Sequence, residues 1–149
     1  MKKKSIDYSK QGRTARASGA RFELKVRALF KKTNWILDKW TNNIDLEKQE
    51  VVPAKRKYNP FQKMLVVGTG FPDFVGIRRF EEKYDVIGIE VKKNGYLSHE
   101  EKLKCKFYLQ NKIFSKIYIA KEIKDGRKTE IELIDFQDKY KNKYDKLEQ

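Results

Sequence analysis

The sequence predicts an α/β fold in which helices flank a mixed central β-sheet. Three observations carry that expectation. Phe22, Val26, Leu29 and Phe30 recur at helical spacing. Two runs with β-branched residues, Phe74 to Ile77 and Val86 to Val91, are parted by the polar loop Glu81-Glu82-Lys83, the pattern of an antiparallel strand pair. A second helical stretch follows Ser98. It gives way to Ile117-Tyr118-Ile119 and Ile131 to Ile134, which flank the turn dipeptide Asp125-Gly126.

Taken in order, residues 1–17 read as a flexible basic arm in which Lys2, Lys3, Lys4, Lys10, Arg13 and Arg16 face only Asp7. Such an arm either touches phosphates or stays solvated and idle. Residues 18–149 then form a single domain, beginning with a helix from about Ser18 to Lys32. Glu23 lies beside its apolar stripe. It either pairs with Arg27 at i+4 or belongs to a site. Trp35 to Trp40 reads as the first strand after a turn at Thr33-Asn34, and Asn42-Asn43 as a loop. Val51-Val52 and Met64 to Val67 read as strands around the basic loop Lys55-Arg56-Lys57-Tyr58-Asn59-Pro60. With Tyr58 and Phe61, that loop suits phosphate contact and base stacking, or is plain surface. The glycines of Gly68-Thr69-Gly70 permit close backbone approach.

Asn94-Gly95 makes a turn, and Ser98 with Glu101 makes a capping box. The helix that follows runs to about Asn111. It is expected to bury Leu103, Phe107 and either Tyr108 or Gln110, leaving Lys102, Lys104 and Lys106 along an exposed side. Cys105 reads as a small apolar helix residue and His99 as a surface residue. Phe136, Tyr140, Tyr144 and Leu147 then fit a short amphipathic helix, packed on the sheet or forming a dimer contact.

Composition narrows the function. The 149 residues carry 35 Lys and Arg against 21 Asp and Glu, a net charge of +14 and a pI near 9.7. That excess points to a polyanionic partner, nucleic acid before membrane, or else to a merely lysine-rich surface. Aromatic residues at 13% argue against disorder. No apolar run approaches the roughly 20 residues of a membrane span, and MKKKSIDYSK leads into no signal-like apolar stretch. One cysteine and one histidine exclude an intrachain disulfide and a Cys/His zinc site. The expected home is intracellular and cytoplasmic, the host cytoplasm if the source is viral.

The chemistry concentrates between Gly68 and Ser98. Alternation along the strand ending at Val91 puts Ile87, Ile89 and Val91 on one face, and Val86, Gly88, Glu90 and Lys92 on the other. Asp73, after Pro72, opens the preceding strand, so pairing of the two brings it near Glu90. Three charges at the edge of a core are costly unless something binds there. Two carboxylates helped by a backbone carbonyl suit Mg²⁺, and a lysine beside them suits phosphodiester hydrolysis. The alternative is an ordinary hairpin with a surface Glu/Lys pair.

Pro72-Asp73, sixteen intervening residues and Glu90-Val91-Lys92, set within GFPDFVGIRR and IGIEVKKNGYLS, resemble the PD-(D/E)xK nuclease signature. Over roughly residues 18 to 121 the chain is similar to archaeal-type Holliday-junction resolvases and VRR-type nucleases. The resemblance implies a restriction-endonuclease-like core and Mg²⁺, with Mn²⁺ as a substitute. It implies Asp73, Glu90 and the carbonyl of Val91 as metal ligands and Lys92 acting on the attacking water. Glu23, within Gly19-Ala20-Arg21-Phe22-Glu23, would hold a second metal or a metal-bound water. Thr69 is a loose match to a hydroxyl residue of junction resolvases, and Glu101 stands where VRR-type relatives carry Gln. Residues 43–66 read as an insertion relative to the compact family core.

The expected function is a Mg²⁺-dependent endodeoxyribonuclease, resolvase-like, serving recombination or repair as a homodimer on branched or duplex DNA. Candidate DNA contacts are Arg13, Arg16 and Arg21 on the arm and first helix, Lys55, Arg56 and Lys57 in the insertion, and Lys93, Lys102 and Lys106 beyond it. Two alternatives stand beside it. One is another nuclease of the superfamily, acting on flaps, ends or specific sequences in repair, restriction or viral replication. The other is a basic DNA-binding module that cuts nothing.

Overall fold

The computed structural model describes residues 8–67, 70–141 and 143. A five-stranded mixed sheet forms its centre, in the order β1 (Ile36–Lys39), β6 (Phe74–Phe80), β7 (Lys83–Val91), β8 (Lys116–Asp125), β9 (Lys128–Asp135). All neighbours are antiparallel except β7 and β8. That parallel step needs a crossover, which α2 (His99–Gln110) supplies. Helix α1 (Tyr8–Lys32) precedes the sheet and the short α3 (Phe136–Tyr140) follows it.

Strand alternation explains the layering. Phe74, Ile87, Ile89 and Ala120 pack with Phe22, Val26 and Phe30 of α1. From the opposite face Ile117 and Ile119 pack with Cys105 and Tyr108 of α2, with Phe71 and Phe114, and with Phe136 and Tyr140 of α3. Gly88 lies beneath Pro72 and Phe114, where an added Cβ would stand 2.9 Å from the proline Cγ. The glycine lets the chain before Asp73 lie against the sheet.

Several local expectations are corrected. The helix begins ten residues earlier than Ser18, at Tyr8, so the described part of the expected arm is helical; residues 1–7 lie outside the described residues. Asn42 and Asn43 belong to β2 (Asn42–Asp45), paired with β3 (Glu50–Pro53). The supposed basic loop is β4 (Arg56–Asn59), paired with β5 (Met64–Val67). In α2 the capping box on Ser98 and Glu101 is present, yet Leu103 and Phe107 are only half-buried and Gln110 is exposed. Lys104 and Lys106 are instead buried, at 9% and 7% exposure, so neither lies on the outer side expected of it. Long lysine stems can cover apolar surface where a helix is packed on more than one side. Thr69, Tyr144 and Leu147 lie outside the described residues.

Candidate active site

The register Phe74↔Ile89 places the residues just beyond it, Asp73 and Glu90, across from one another. The two are interlocked. The Asp73 N–H donates to Glu90 Oε2 at 3.1 Å, and the Val91 N–H donates to Asp73 Oδ2 at 2.8 Å. The approach to Asp73 is fixed from three sides. Trp40 N–H donates to the Asp73 carbonyl at 3.1 Å, and Phe71 N–H to the Asn42 carbonyl at 2.9 Å. The Tyr108 hydroxyl donates to the Phe71 carbonyl at 2.7 Å while accepting from Trp40 Nε1 at 2.9 Å. Burial pushes that hydroxyl's pKa up to about 12, so it remains a proton donor.

Phe71, Asp73 and Glu90 line an open cleft of about 460 Å³ together with Glu23, Val91, Lys92, Glu101 and Lys104. Glu23 is half-buried on α1, and its charge adds to the forces raising Asp73. Its alternative partner Arg27 lies over the Phe74 ring, 4.7 Å from the centroid. Lys92 is held between carboxylates, with Nζ 2.6 Å from Glu101 Oε1 and 3.5 Å from Glu90 Oε1. The four residues singled out in sequence, Glu23, Asp73, Glu90 and Lys92, are thus brought into one cleft, with Val91 at its wall.

The electrostatics are those of a site short of positive charge. Burial raises Asp73, only partly offset by the Val91 amide, and Glu23 raises it further. Burial, followed by the charge of Asp73, pushes Glu90 up to about 8. Burial alone would lower Lys92, but its contacts with Glu101 and Glu90 outweigh it and hold the ammonium above its usual value. Lys92 is therefore a cation that can donate hydrogen bonds but cannot accept a proton from water. Burial likewise works to raise Glu101, yet the hydrogen bonds from Lys92 and Ser98 keep it below the ordinary glutamate value.

A hard divalent cation fits this donor set: one buried and one half-buried carboxylate whose ionised forms want a counter-charge. Among the described residues no group of three or more His, Cys, Asp or Glu side chains is arranged to enclose a metal unaided. A cation here would rest on the Asp73–Glu90 pair, and its other positions would fall to backbone carbonyl, water or a bound phosphate.

Glu101 was not singled out as a site residue, although its capping-box role was legible. Its second carboxylate oxygen caps the helix by accepting from Ser98 N–H at 2.7 Å while the first grips Lys92. The proximity depends on where α2 starts over β7, which no local pattern gives. The remaining candidates scatter. Arg13, Arg16, Arg21, Lys55, Arg56 and Lys57 are exposed. Lys93 is tied to Glu122 at 3.0 Å and to the Ser18 hydroxyl at 2.5 Å. Lys102 lies over the Tyr140 ring at 4.8 Å, and Lys106 is buried, contrary to its expected exposure. Among the described residues no helix is long and apolar enough to cross a membrane. In comparisons with known proteins, the sequence matches no family model and no curated protein, and the structure matches no solved structure.

Proposed function

We propose that this chain is a Mg²⁺-dependent endodeoxyribonuclease of the PD-(D/E)xK kind, with a restriction-endonuclease-like core and a resolvase-like preference for branched DNA. The observation that carries the reading is the interlocked pair of a half-buried Asp73 and a buried Glu90, with Lys92 beside them in an open cleft. Withdrawing two neighbouring carboxylates from water, even in part, disfavours folding unless a cation offsets it.

Asp73, Glu90 and the Val91 carbonyl would hold the metal, Mg²⁺ or Mn²⁺ in its place. When bound, the ion supplies the positive charge that eases ionisation of water and offsets charge gathering on the phosphate. Lys92, kept protonated by Glu101, orients the attacking water and steadies the phosphate oxygens. Glu23, on the cleft wall, would hold a second metal or its water. The water gives up its proton to solvent as its oxygen bonds phosphorus, the ester P–O bond breaks, and the leaving oxygen takes up a proton from solvent in the open cleft.

The test is incubation of a labelled four-way junction, a flap and a matched linear duplex with the protein and Mg²⁺. Paired symmetric nicks in the junction are expected. They would require two active sites and hence a two-fold dimer, which light scattering would detect. The β2–β3 and β4–β5 hairpins favour a second reading: Asn43 of β2 lines the cleft and Lys57 of β4 the adjoining groove, additions that suit a nuclease of the same superfamily that selects flaps or ends. Cutting of the flap alone would select it. No cutting of any substrate with either metal would overturn both readings and leave a DNA-binding module.

A further inference from the structure

Among the described residues, strands β4 and β5 pair only with each other, forming a two-stranded ribbon separate from the central sheet. Its turn is built rather than slack. The Asn59 side chain accepts from Phe61 N–H at 3.0 Å and from Gln62 N–H at 3.3 Å, and Lys63 takes a left-handed φ of 50°. This turn presents Phe61 at 95% exposure, with Tyr58, Met64 and Leu65 each more than half exposed behind it. A large apolar set held in water by a defined turn marks a surface that is covered in use.

The charge around it selects the partner. Between Glu50 and Asp73 there is no acidic residue, while Lys55, Arg56, Lys57 and Lys63 flank the aromatic side chains. Cations interleaved with aromatic faces make a platform for a nucleic-acid strand, the cations on phosphates and the rings on bases. The ribbon's root also opens toward the carboxylate site. Lys55 and Lys57 line a groove of about 880 Å³ whose other walls include the carboxylates Asp45 and Glu47 as well as Asn43, Glu100 and Lys104. Those last three residues also line the Asp73–Glu90 cleft.

We infer that the β4–β5 hairpin is a strand-separating wedge for DNA: Phe61 stacks on an unpaired base at a branch, and one strand follows the adjoining groove toward Asp73 and Glu90. This deepens the nuclease reading by naming how the substrate is selected, and it rests on that reading only in taking DNA as the polymer.

The test reads binding without cleavage, in EDTA, by fluorescence anisotropy of a labelled splayed duplex and a fully paired duplex of equal length. A 2-aminopurine is placed at the first unpaired position. Phe61→Ala is expected to weaken binding to the splayed substrate roughly ten-fold and to abolish quenching of the reporter base, with little effect on the paired duplex. Phe61→Trp is expected to retain both. Because Phe61 lies outside the core, the unfolding midpoint should not change.

Unaltered binding by Phe61→Ala, or equal losses on both substrates, would overturn the wedge. So would loss of sedimentation with vesicles of anionic lipid while DNA binding persists, which would assign the surface to a membrane. Failure of the nuclease reading is distinguishable: a chain that loses splayed-DNA binding on Phe61→Ala yet never cuts retains the wedge without the catalysis.

Discussion

Glu90 is the residue whose burial has the most measurable consequence. Its folded-state pKa is about 8 against an ordinary 4.5, because burial and the neighbouring Asp73 disfavour its charge. In the unfolded chain it gives up its proton near the ordinary value, while in the metal-free fold it keeps that proton to about 8. The unfolded state therefore binds fewer protons across this interval, so stability falls as pH rises through it and levels off above. Glu90→Gln cannot ionise and should lack this component of the decline. The check is the unfolding midpoint in EDTA from about pH 5 to about pH 9. Near the upper end the variant should exceed the wild type by on the order of 1 kcal/mol or more, a few degrees. Mg²⁺ should raise the wild-type midpoint and leave Glu90→Gln unmoved. Parallel curves for the two proteins would mean that Glu90 does not hold the burden assigned to it. In cleavage, Asp73→Asn, Glu90→Gln and Lys92→Ala should each lose about 100-fold or more in rate while DNA is still bound, as gel shifts would report.

At the scale of elements, the tie between α2 and the site can be separated into its two roles. Ser98→Ala removes the hydroxyl that caps the helix and should cost about 1 kcal/mol of stability, with the cleavage rate unaffected well below the melting temperature. Glu101→Gln preserves a capping-box side chain but removes the charge 2.6 Å from Lys92. It should keep most of the stability and lower the cleavage rate, with an altered pH profile. Equal effects of the two substitutions on rate would show that Glu101 acts only as a cap. The site's strands were legible because Asp73, Glu90 and Lys92 sit in runs whose period-2 pattern fixes their faces. Glu101 was not legible as a partner because helix placement over a sheet is a tertiary matter. Arg56 to Asn59 hid as a loop because a ribbon exposed on both faces carries no apolar alternation. Lys104 and Lys106 misled for a related reason: the polarity of their head groups says little about where their stems lie. Gly88 gives one more element-level check. A Cβ there would meet Pro72 Cγ at 2.9 Å and Phe114 at 3.2 Å, so Gly88→Ala should cost about 1–3 kcal/mol in thermal unfolding and slow cleavage by displacing Asp73.

For the whole molecule, the net charge of +14 is a sum, and if DNA is the partner, as proposed, what it meets depends on which cations remain free. Lys93 and Lys104 are ion-paired, at 3.0 and 2.7 Å from carboxylates, and Lys106 is buried. Of the candidate DNA contacts, the exposed ones lie elsewhere: Arg13, Arg16 and Arg21 along α1, and Lys55, Arg56 and Lys57 on and beside the β4–β5 ribbon. Arg16 lies two helical turns before Glu23 and thus on the same side of α1. The front of this helix therefore extends the cleft side of the molecule with positive charge, which under the proposed function would follow a duplex backbone. Each cation that neutralises a phosphate releases counterions, and the logarithm of the binding constant falls with the logarithm of salt by about 0.9 per contact. Removing Arg13 and Arg16 together should therefore reduce that slope by about 2, similarly for junction and duplex, because phosphate contacts do not read structure at the base. Lys106→Ala, measured below its melting temperature, should leave the slope unchanged. A slope reduced by Lys106→Ala and untouched by the double arginine substitution would place the DNA on the opposite side of α2, away from the cleft that holds Asp73 and Glu90.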